Sequence, residues 1–182
     1  MRIISGIFGS RRFNPPAGIP ARPTTDLAKG GLFNALDNMM NLEGIKTLDI
    51  FGGTGSISYE LASRGAEDMT VVEKDNVSVA FIKKTAGELG IADKLHVVRN
   101  DAFRFINQCT DQYDFIFADP PYALPAMDDL PMLVFEKQLL KPGGIFVLEH
   151  TTRNDYKAHP HFLRMKNYGT TIFSFFLQPN ES

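Results

Sequence analysis

Apolar and polar positions follow two alternating periods along most of this chain. Short apolar runs predict buried β-strands at residues 47–51, 66–72, 95–98, 113–118 and 145–150. Between them, apolar residues three and four positions apart predict helices at residues 56–64, 76–89, 102–108 and 127–139. This regular succession of strand and helix predicts a mostly parallel α/β sheet with right-handed crossovers.

The two ends of the chain depart from that succession. Residues 2–8 and 11–13 are predicted to form two short strands, followed by a loop over residues 14–20, which are rich in glycine and proline. At the other end, residues 162–165 and 171–177 predict an antiparallel pair around Tyr168-Gly169. The sheet is therefore expected to carry a small N-terminal extension and a C-terminal hairpin.

A further helix is expected after the N-terminal loop. Thr24 or Thr25 is a suitable N-cap, and Asp26 suits the first turn. Leu32, Phe33, Leu36 and Met40 recur at helical spacing. Gly30 and Gly31 lie inside this helix, and each glycine destabilises a helix by roughly 1 kcal/mol relative to alanine. We therefore expect a bend there or the close approach of another backbone.

Composition places the chain among ordinary globular proteins. It has 182 residues, of which 43% are hydrophobic and 22% charged, which suits one domain with a sizeable core. No apolar run is long enough to span a membrane, and residues 1–6 lack the apolar core of a signal peptide. With Cys109 as its single cysteine, the chain is expected to be cytoplasmic.

Charge is distributed unevenly along the chain. The formal net charge is −2, but residues 1–30 contain five basic residues against Asp26 alone. We therefore divide the chain into a basic N-terminal arm at residues 1–23 and a main domain at residues 24–182. A basic arm on an acidic body predicts phosphate contacts on one face, although a solvated extension would look the same.

Glycines and carboxylates follow the predicted strands in a pattern typical of nucleotide-binding sheets. Gly52, Gly53 and Gly55 separate a strand from a helix, so the backbone and the free N–H groups of the helix can approach a ligand. Glu73 ends the next strand, about 20 residues later, where an acidic residue can accept ribose hydroxyls. Asp101, after the third strand, could hold an adenine amino group, cap the next helix, or do both.

The fourth predicted strand ends in Asp119-Pro120-Pro121-Tyr122. The prolines fix the backbone and present carbonyl acceptors without N–H groups, Asp119 adds a carboxylate, and Tyr122 adds a ring. Acceptors beside a stacking face suit an amino group on a planar substrate. The alternative is a rigid turn after a core strand.

In this arrangement the chain resembles the RsmD family of bacterial 16S rRNA guanine-N2 methyltransferases. The resemblance spans nearly the whole chain and rests on segments in the family's order: residues 1–6, Arg22-Pro23-Thr24-Thr25-Asp26 with residues 32–34, residues 48–56 with residues 63–66, the Asp119 motif and Tyr168-Gly169. The Arg22–Asp26 segment is the most specific of these. The resemblance implies a Rossmann-like class I methyltransferase fold, S-adenosylmethionine as cofactor, and 16S rRNA, free or in an assembling small subunit, as partner.

The same resemblance implies roles for individual residues. The cofactor would be bound by Asp49, Gly52, Gly53, Gly55, Glu73, Lys74, Asp101 and Ala102. The target guanine would be held by Asp119, Pro120, Pro121 and Tyr122. RNA would be contacted by Arg11, Arg12, Arg22, Thr24 and Thr25. Leu27, where the family often has a basic residue, and Gly30-Gly31 depart from its pattern.

Direct methyl transfer needs no metal. His159-Pro160-His161 could suggest a metal site, but no third ligand accompanies the two histidines.

Three alternative functions remain at this point. An NAD-dependent oxidoreductase could share the glycine loop, although Ser58 stands where its third glycine would be. A non-enzymatic RNA-binding module would need no cofactor pocket. An amino-methyltransferase could instead act on DNA adenine or protein glutamine.

Overall fold

The computed structural model describes residues 1–20, 23–121 and 123–181. Seven strands form one sheet in the order β3-β2-β1-β4-β5-β7-β6. They are β1 (Lys46–Ile50), β2 (Asp68–Glu73), β3 (Leu95–Arg99), β4 (Tyr113–Ala118), β5 (Leu140–His150), β6 (Phe162–Tyr168) and β7 (Thr171–Leu177). The first five run parallel, and β7 joins β5 and β6 in antiparallel pairing. The predicted fold class is confirmed.

Helices cover both faces of the sheet, so its central strands are buried. They are α1 (Asp26–Asp37), α2 (Ser56–Ser63), α3 (Asn76–Leu89), α4 (Ala102–Gln108) and α5 (Asp129–Glu136). One core cluster includes residues of α1, α2 and α3, and a second includes residues of α4 and α5. None of the helices in the described ranges combines the length and the apolar character needed to cross a bilayer.

The structure corrects the predicted boundaries of several elements, most clearly those of β5 and α5. Strand β5 begins at Leu140, five residues before the predicted start at residue 145, because an irregularity in its pairing with β4 accommodates the Pro142-Gly143 step. Helix α5 is shorter than predicted: a 3₁₀ helix (Pro125–Asp128) precedes it, and Gln138, at φ 54°, lies just beyond its end. Pro131 lies in the first turn of α5, where a proline needs no N–H donor within the helix.

The N-terminal extension is less regular than predicted. A single antiparallel bridge joins Arg2 to Arg12, in place of strands over residues 2–8 and 11–13. Further backbone hydrogen bonds join Ile3 to Arg11 and Ser10, so these residues still form a tight hairpin. Gly6, at φ 86°, and Ser10, at φ 72°, lie in the connecting turn, which interrupts the extended backbone.

A buried charged cluster attaches this extension to α2. Glu60 is fully buried, and its carboxylate accepts the backbone N–H groups of Ile4 (2.7 Å) and Ser5 (3.1 Å). Arg64 donates to the same carboxylate at 3.0 Å, and the Lys29 ammonium of α1 lies 3.5 Å from it. Lys29 also donates to Ser56, the first residue of α2, at 3.0 Å. One carboxylate therefore holds together the extension, α1 and α2.

Helix α1 begins as predicted, with the Thr25 hydroxyl accepting the Ala28 N–H at 3.2 Å, but it ends at Asp37, before Met40. The sequence predicted a bend or the close approach of another backbone at Gly30 and Gly31, and the structure shows a different contact. Gly31 faces the ring of Tyr168, which a Cβ atom would approach to 2.1 Å, so its neighbour is a side chain rather than a backbone. Gly30 has no neighbouring atom within 4 Å of the position a Cβ atom would occupy.

Candidate active site

The glycine loop lies between β1 and α2, at the carboxyl edge of the sheet. Gly53 and Gly55 have φ angles of 59° and 83°, which L-residues with side chains rarely adopt. Gly52 donates to the Val72 carbonyl at 2.9 Å, and a Cβ atom on it would lie 2.2 Å from the Val71 side chain. The loop therefore follows the tip of β2 closely. Phe51, at φ 60°, is a strained non-glycine residue at its start.

Glu73 is positioned by this same loop. One carboxylate oxygen accepts the Gly53 N–H at 3.0 Å, and the other accepts the Asp75 N–H at 2.7 Å. A carboxylate has further lone pairs, so it can also accept hydroxyl groups from a ligand. The adjacent Lys74 is exposed. The predicted ribose acceptor thus lies against the glycine loop, 20 residues away in sequence.

Asp49 lies beneath the loop, where it is shielded from solvent. Its carboxyl group accepts the Ser58 hydroxyl at 2.9 Å and is 2% exposed. Burial raises the pKa of Asp49 to about 8, and the Ser58 hydrogen bond opposes this rise. The serine found in place of a third glycine therefore donates to the Asp49 carboxyl group of β1, the strand that leads into the loop.

The pKa of Asp49 makes stability depend on pH. The ordinary pKa of 3.8 rises to about 8 on folding, so the folded protein holds this proton more tightly. Stability from this group is complete below pH 4 and is lost as pH rises towards 8, at roughly 1.4 kcal/mol per pH unit. We expect the melting temperature of the ligand-free protein to fall more between pH 6 and 8 than that of Asp49→Asn. Equal slopes in thermal melts would contradict this assignment.

Asp119 lies at the tip of β4, next to β1. Ala118 is the register partner of Ile50, and the Asp119 N–H donates to the Ile50 carbonyl at 3.4 Å. The strand tip that precedes the glycine loop is thus joined to the tip that carries Asp119. Pro120 is buried, and the Pro121 carbonyl accepts the Leu124 N–H at 3.1 Å. Tyr122, predicted to stack on the substrate, lies outside the described residues.

Glu149, at the tip of β5, is a site residue that the sequence analysis missed. The Thr24 hydroxyl donates to its carboxylate at 2.8 Å. Its carboxyl group also hydrogen-bonds that of Asp119. Desolvation raises the pKa of Asp119 well above its usual range, and the charge of Glu149 raises it further. The available signal was an acidic residue ending a parallel strand, the rule that identified Glu73 and Asp119.

Asp101 combines two possible roles at the tip of β3. Its side chain accepts the Arg104 N–H at 3.0 Å and so caps α4, while the residue remains exposed. Next to Ala102, Phe103 packs edge-on against Phe51, with ring centroids 6.3 Å apart. These two half-buried rings at the start of the glycine loop were also missed. They offer an apolar surface beside the residues predicted to bind adenine.

The residues predicted to contact RNA differ in whether they are exposed or already have partners within the protein. Arg11 and Arg12 are exposed on the N-terminal hairpin. Thr24 and Thr25 already have partners within the protein, Glu149 and the start of α1 respectively. Arg22 lies outside the described residues. Among the described residues of this segment, Thr24 contacts Glu149 at the tip of β5, and Asp26 pairs with Arg2 of the N-terminal extension at 3.2 Å.

The negative charge of Glu149 raises the pKa of both Asp49 and Asp119, and that of Asp49 also raises the pKa of Asp119, so these three carboxyl groups lie near one another at the tips of β1, β4 and β5. The groups acting on Asp49 and Asp119 include no lysine or arginine of the described residues. Such a cluster suits a cationic ligand, because a nearby positive charge favours ionised carboxylates. The site thus fits the sulfonium and ammonium groups of S-adenosylmethionine. In the described parts of the chain, no group of three or more His, Cys, Asp or Glu side chains is arranged to hold a metal ion.

Comparisons of the sequence with known proteins identify close relatives. The profile of the family described as "Conserved hypothetical protein 95" matches residues 1–177. "Putative rRNA methyltransferase YlbH" of Bacillus subtilis is 34% identical, covering 82% of either chain. "Ribosomal RNA small subunit methyltransferase D" of Haemophilus influenzae is 28% identical, covering 99% of this chain and 94% of its own.

Comparisons of structure agree with these matches. "Putative methyltransferase yhhF" from Escherichia coli superposes with a TM-score of 0.86 at 25% identity, covering 100% of this chain and 99% of its own. An RNA methyltransferase from Salinibacter ruber, solved with S-adenosyl-L-homocysteine, gives a TM-score of 0.68 at 19% identity. It covers 88% of this chain and 96% of its own, and at this identity the likeness concerns the fold.

Proposed function

Because this chain belongs to the RsmD family of ribosomal RNA methyltransferases, we propose that it transfers the methyl group of S-adenosylmethionine to the exocyclic N2 of a guanine in 16S rRNA. The observation that carries this proposal is the joined pair of strand tips. The glycine loop after β1 would hold the cofactor, and Asp119 after β4 would hold the base beside it. The family assignment removes the oxidoreductase and the non-enzymatic module as alternatives.

The cofactor would be held by residues of three strand tips. Gly52, Gly53 and Gly55 allow a close approach of the methionine portion, and Glu73 accepts the ribose hydroxyls while fixing Gly53. Asp101 and Ala102 hold the adenine, next to Phe51 and Phe103. When bound, S-adenosylmethionine supplies an electrophilic methyl group on a sulfonium.

The protein's contribution to the reaction is to orient the amino group. The lone pair of guanine N2 is delocalised into the ring. Hydrogen bonds from the amino group to the Asp119 carboxylate and the Pro120 carbonyl draw N2 towards tetrahedral geometry and orient it for in-line attack. The base must leave its stack to reach this edge, and Tyr122 would then stack on it.

Asp119 must be ionised to accept the amino hydrogen bonds. In the ligand-free protein its raised pKa favours the protonated form, stabilised by the hydrogen bond to Glu149. A cationic cofactor nearby would lower the pKa of this carboxyl pair and release the proton. Glu149 is therefore a positioning residue in this proposal: it shares the proton of Asp119 and is itself held by Thr24.

The proposed function is tested with rRNA from cells that lack this protein. The purified protein and tritiated S-adenosylmethionine are expected to label small-subunit RNA, and nucleoside analysis is expected to find N2-methylguanosine. Assaying free 16S rRNA and isolated small subunits side by side identifies the preferred form of the substrate. Label on another nucleoside, or on DNA adenine or protein glutamine alone, would overturn the proposal.

A further inference from the structure

A groove of about 490 Å³ runs between α1 and β6, which is the edge strand at the end of the sheet opposite to β3. Its α1 wall contains Leu27, Gly30, Gly31 and Asn34, and its β6 wall contains Arg164, Lys166 and Tyr168. We propose that this groove binds the single-stranded RNA segment next to the target nucleotide. The inference rests on the proposed RNA methylation and adds a second contact region for the same substrate.

The position of the groove connects it to the active site. Thr24, just before α1, contacts Glu149 at the carboxyl edge of the sheet, and Glu149 contacts Asp119. Tyr168 pairs with Thr171, and the neighbouring Ile172 pairs with His150, so this end of β6 lies at the same edge. An RNA strand with its target base at Asp119 can therefore continue directly into the groove.

The charge of the groove suits phosphates. Arg164 and Lys166 alternate with outward-facing residues of β6, so both face α1. The Nε atom of Arg164 is buried and has no hydrogen-bond partner among the described residues. The acidic residue at the entrance, Asp26, is paired with Arg2 at 3.2 Å. The groove thus presents two cationic side chains with its one carboxylate already neutralised in part.

The glycines of α1 shape the groove. Gly31 packs against Tyr168, because a Cβ atom there would force the Tyr168 ring to move. Gly30 in α1 and Gly87 in α3 both have open space at the Cβ position, and glycine is a poorer helix former than alanine. Of these two glycines, Gly30 is the one that lies in the wall of the groove. The missing side chain at position 30 keeps the groove open, and the exposed Leu27 adds an apolar contact for a sugar or base.

The test compares Gly30→Gln with Gly87→Gln. Gly87 also lies inside a helix with open space at its Cβ position, but α3 packs against β3 at the opposite edge of the sheet. Both variants are expected to keep or raise the melting temperature and to bind S-adenosylhomocysteine like the wild type. Gly30→Gln is expected to weaken binding of small-subunit rRNA, measured as Kd and KM, by roughly 10-fold, the cost of about 1.4 kcal/mol of lost contacts. Gly87→Gln is expected to leave Kd and KM unchanged.

The salt dependence of binding identifies the ligand as RNA. In Arg164→Gln/Lys166→Gln, the slope of log Kd against log salt is expected to fall by about 1.4, or about 0.7 for each lost phosphate contact with a single strand. The control pair Lys83→Gln/Lys84→Gln on α3 should keep the wild-type slope. Normal methylation by wild type with equal Kd for Gly30→Gln and Gly87→Gln would overturn the groove alone. A loss by Gly30→Gln on assembled subunits, but not on protein-free rRNA, would overturn it in favour of a protein partner.

Discussion

Asp119→Ala is expected to lower kcat for RNA methylation by at least about 10²-fold while leaving the affinity for S-adenosylhomocysteine close to that of the wild type. The Asp119 side chain extends from the tip of β4 towards Glu149, whereas the glycine loop and Glu73 bind each other without it. Losing the carboxylate is therefore expected to remove the proposed acceptor for the target amino group and to leave the proposed cofactor-binding residues in place. Single-turnover methyl transfer and calorimetry with S-adenosylhomocysteine measure the two effects separately.

Two outcomes would contradict this assignment. Activity of Asp119→Ala within a few-fold of wild type would mean that the carboxylate does not hold the nucleophile. A parallel loss of S-adenosylhomocysteine binding would mean that the substitution disrupts the edge between β1 and β4, where the Asp119 N–H bonds the Ile50 carbonyl.

Glu149→Gln is a second variant, which tests how the charge of Glu149 affects the protonation of Asp119. The charge of Glu149 contributes to the raised pKa of Asp119, so its removal lowers that pKa. In the proposed mechanism the ionised form of Asp119 is the active one, so kcat/KM is expected to rise with pH through this pKa. In the variant, the rise is expected to shift to lower pH, with activity largely retained above it. An unshifted pH profile with a uniformly lower rate would indicate a packing role instead.

Glu60→Ala is expected to destabilise the protein by roughly 3–5 kcal/mol, the range for removing one partner of a buried ion pair. Glu60 is fully buried, and its loss leaves the buried Lys29 ammonium without its paired carboxylate and two backbone N–H groups without their acceptor. For a chain of this size, the melting temperature should fall by roughly 10 °C or more. Thermal and urea unfolding measure the effect.

The matched control is Glu88→Ala. Glu88 forms an i,i+4 pair with Lys84 at 3.8 Å, as Glu60 does with Arg64, but both members of the Glu88–Lys84 pair are exposed. Its loss is expected to cost about 0.5 kcal/mol or less. If Glu60→Ala does not fold, Glu60→Gln and the double variant Lys29→Met/Glu60→Gln provide the comparison. The double variant should be the more stable of the two, because it lacks the uncompensated ammonium; the reverse order would contradict the assigned role of the ion pair.

Patterns local in sequence predicted most of this fold. Helices α3 and α4 and strands β4 and β7 begin and end at the predicted residues, because periodicity and neighbouring capping residues are sufficient there. The boundaries failed where backbone irregularity decides them. Tertiary pairing absorbed the Pro142-Gly143 step into β5, and the turn containing Gly6 reduced the N-terminal strands to one bridge.

The residues of the candidate site show the same difference between what local sequence predicts and what tertiary contacts decide. Gly52, Glu73 and Asp119 were identified from sequence, since each follows a predicted parallel strand and such strands end at a common edge. Glu149 was missed even though it follows the same rule. Thr24 was assigned to RNA, but its hydroxyl contacts a carboxylate 125 positions away.

The sequence by itself determined the succession of strands and helices, the family, and the polar residues that end the parallel strands. All of these depend on neighbouring residues and on the geometry common to every parallel sheet. The tertiary structure alone decided the contact of Thr24 with Glu149, the burial of Lys29 against Glu60, and the groove between Gly30 and the cations of β6. Each of these joins residues distant in sequence, and their side chains meet only because the packing of α1 on the sheet fixes the distance between them.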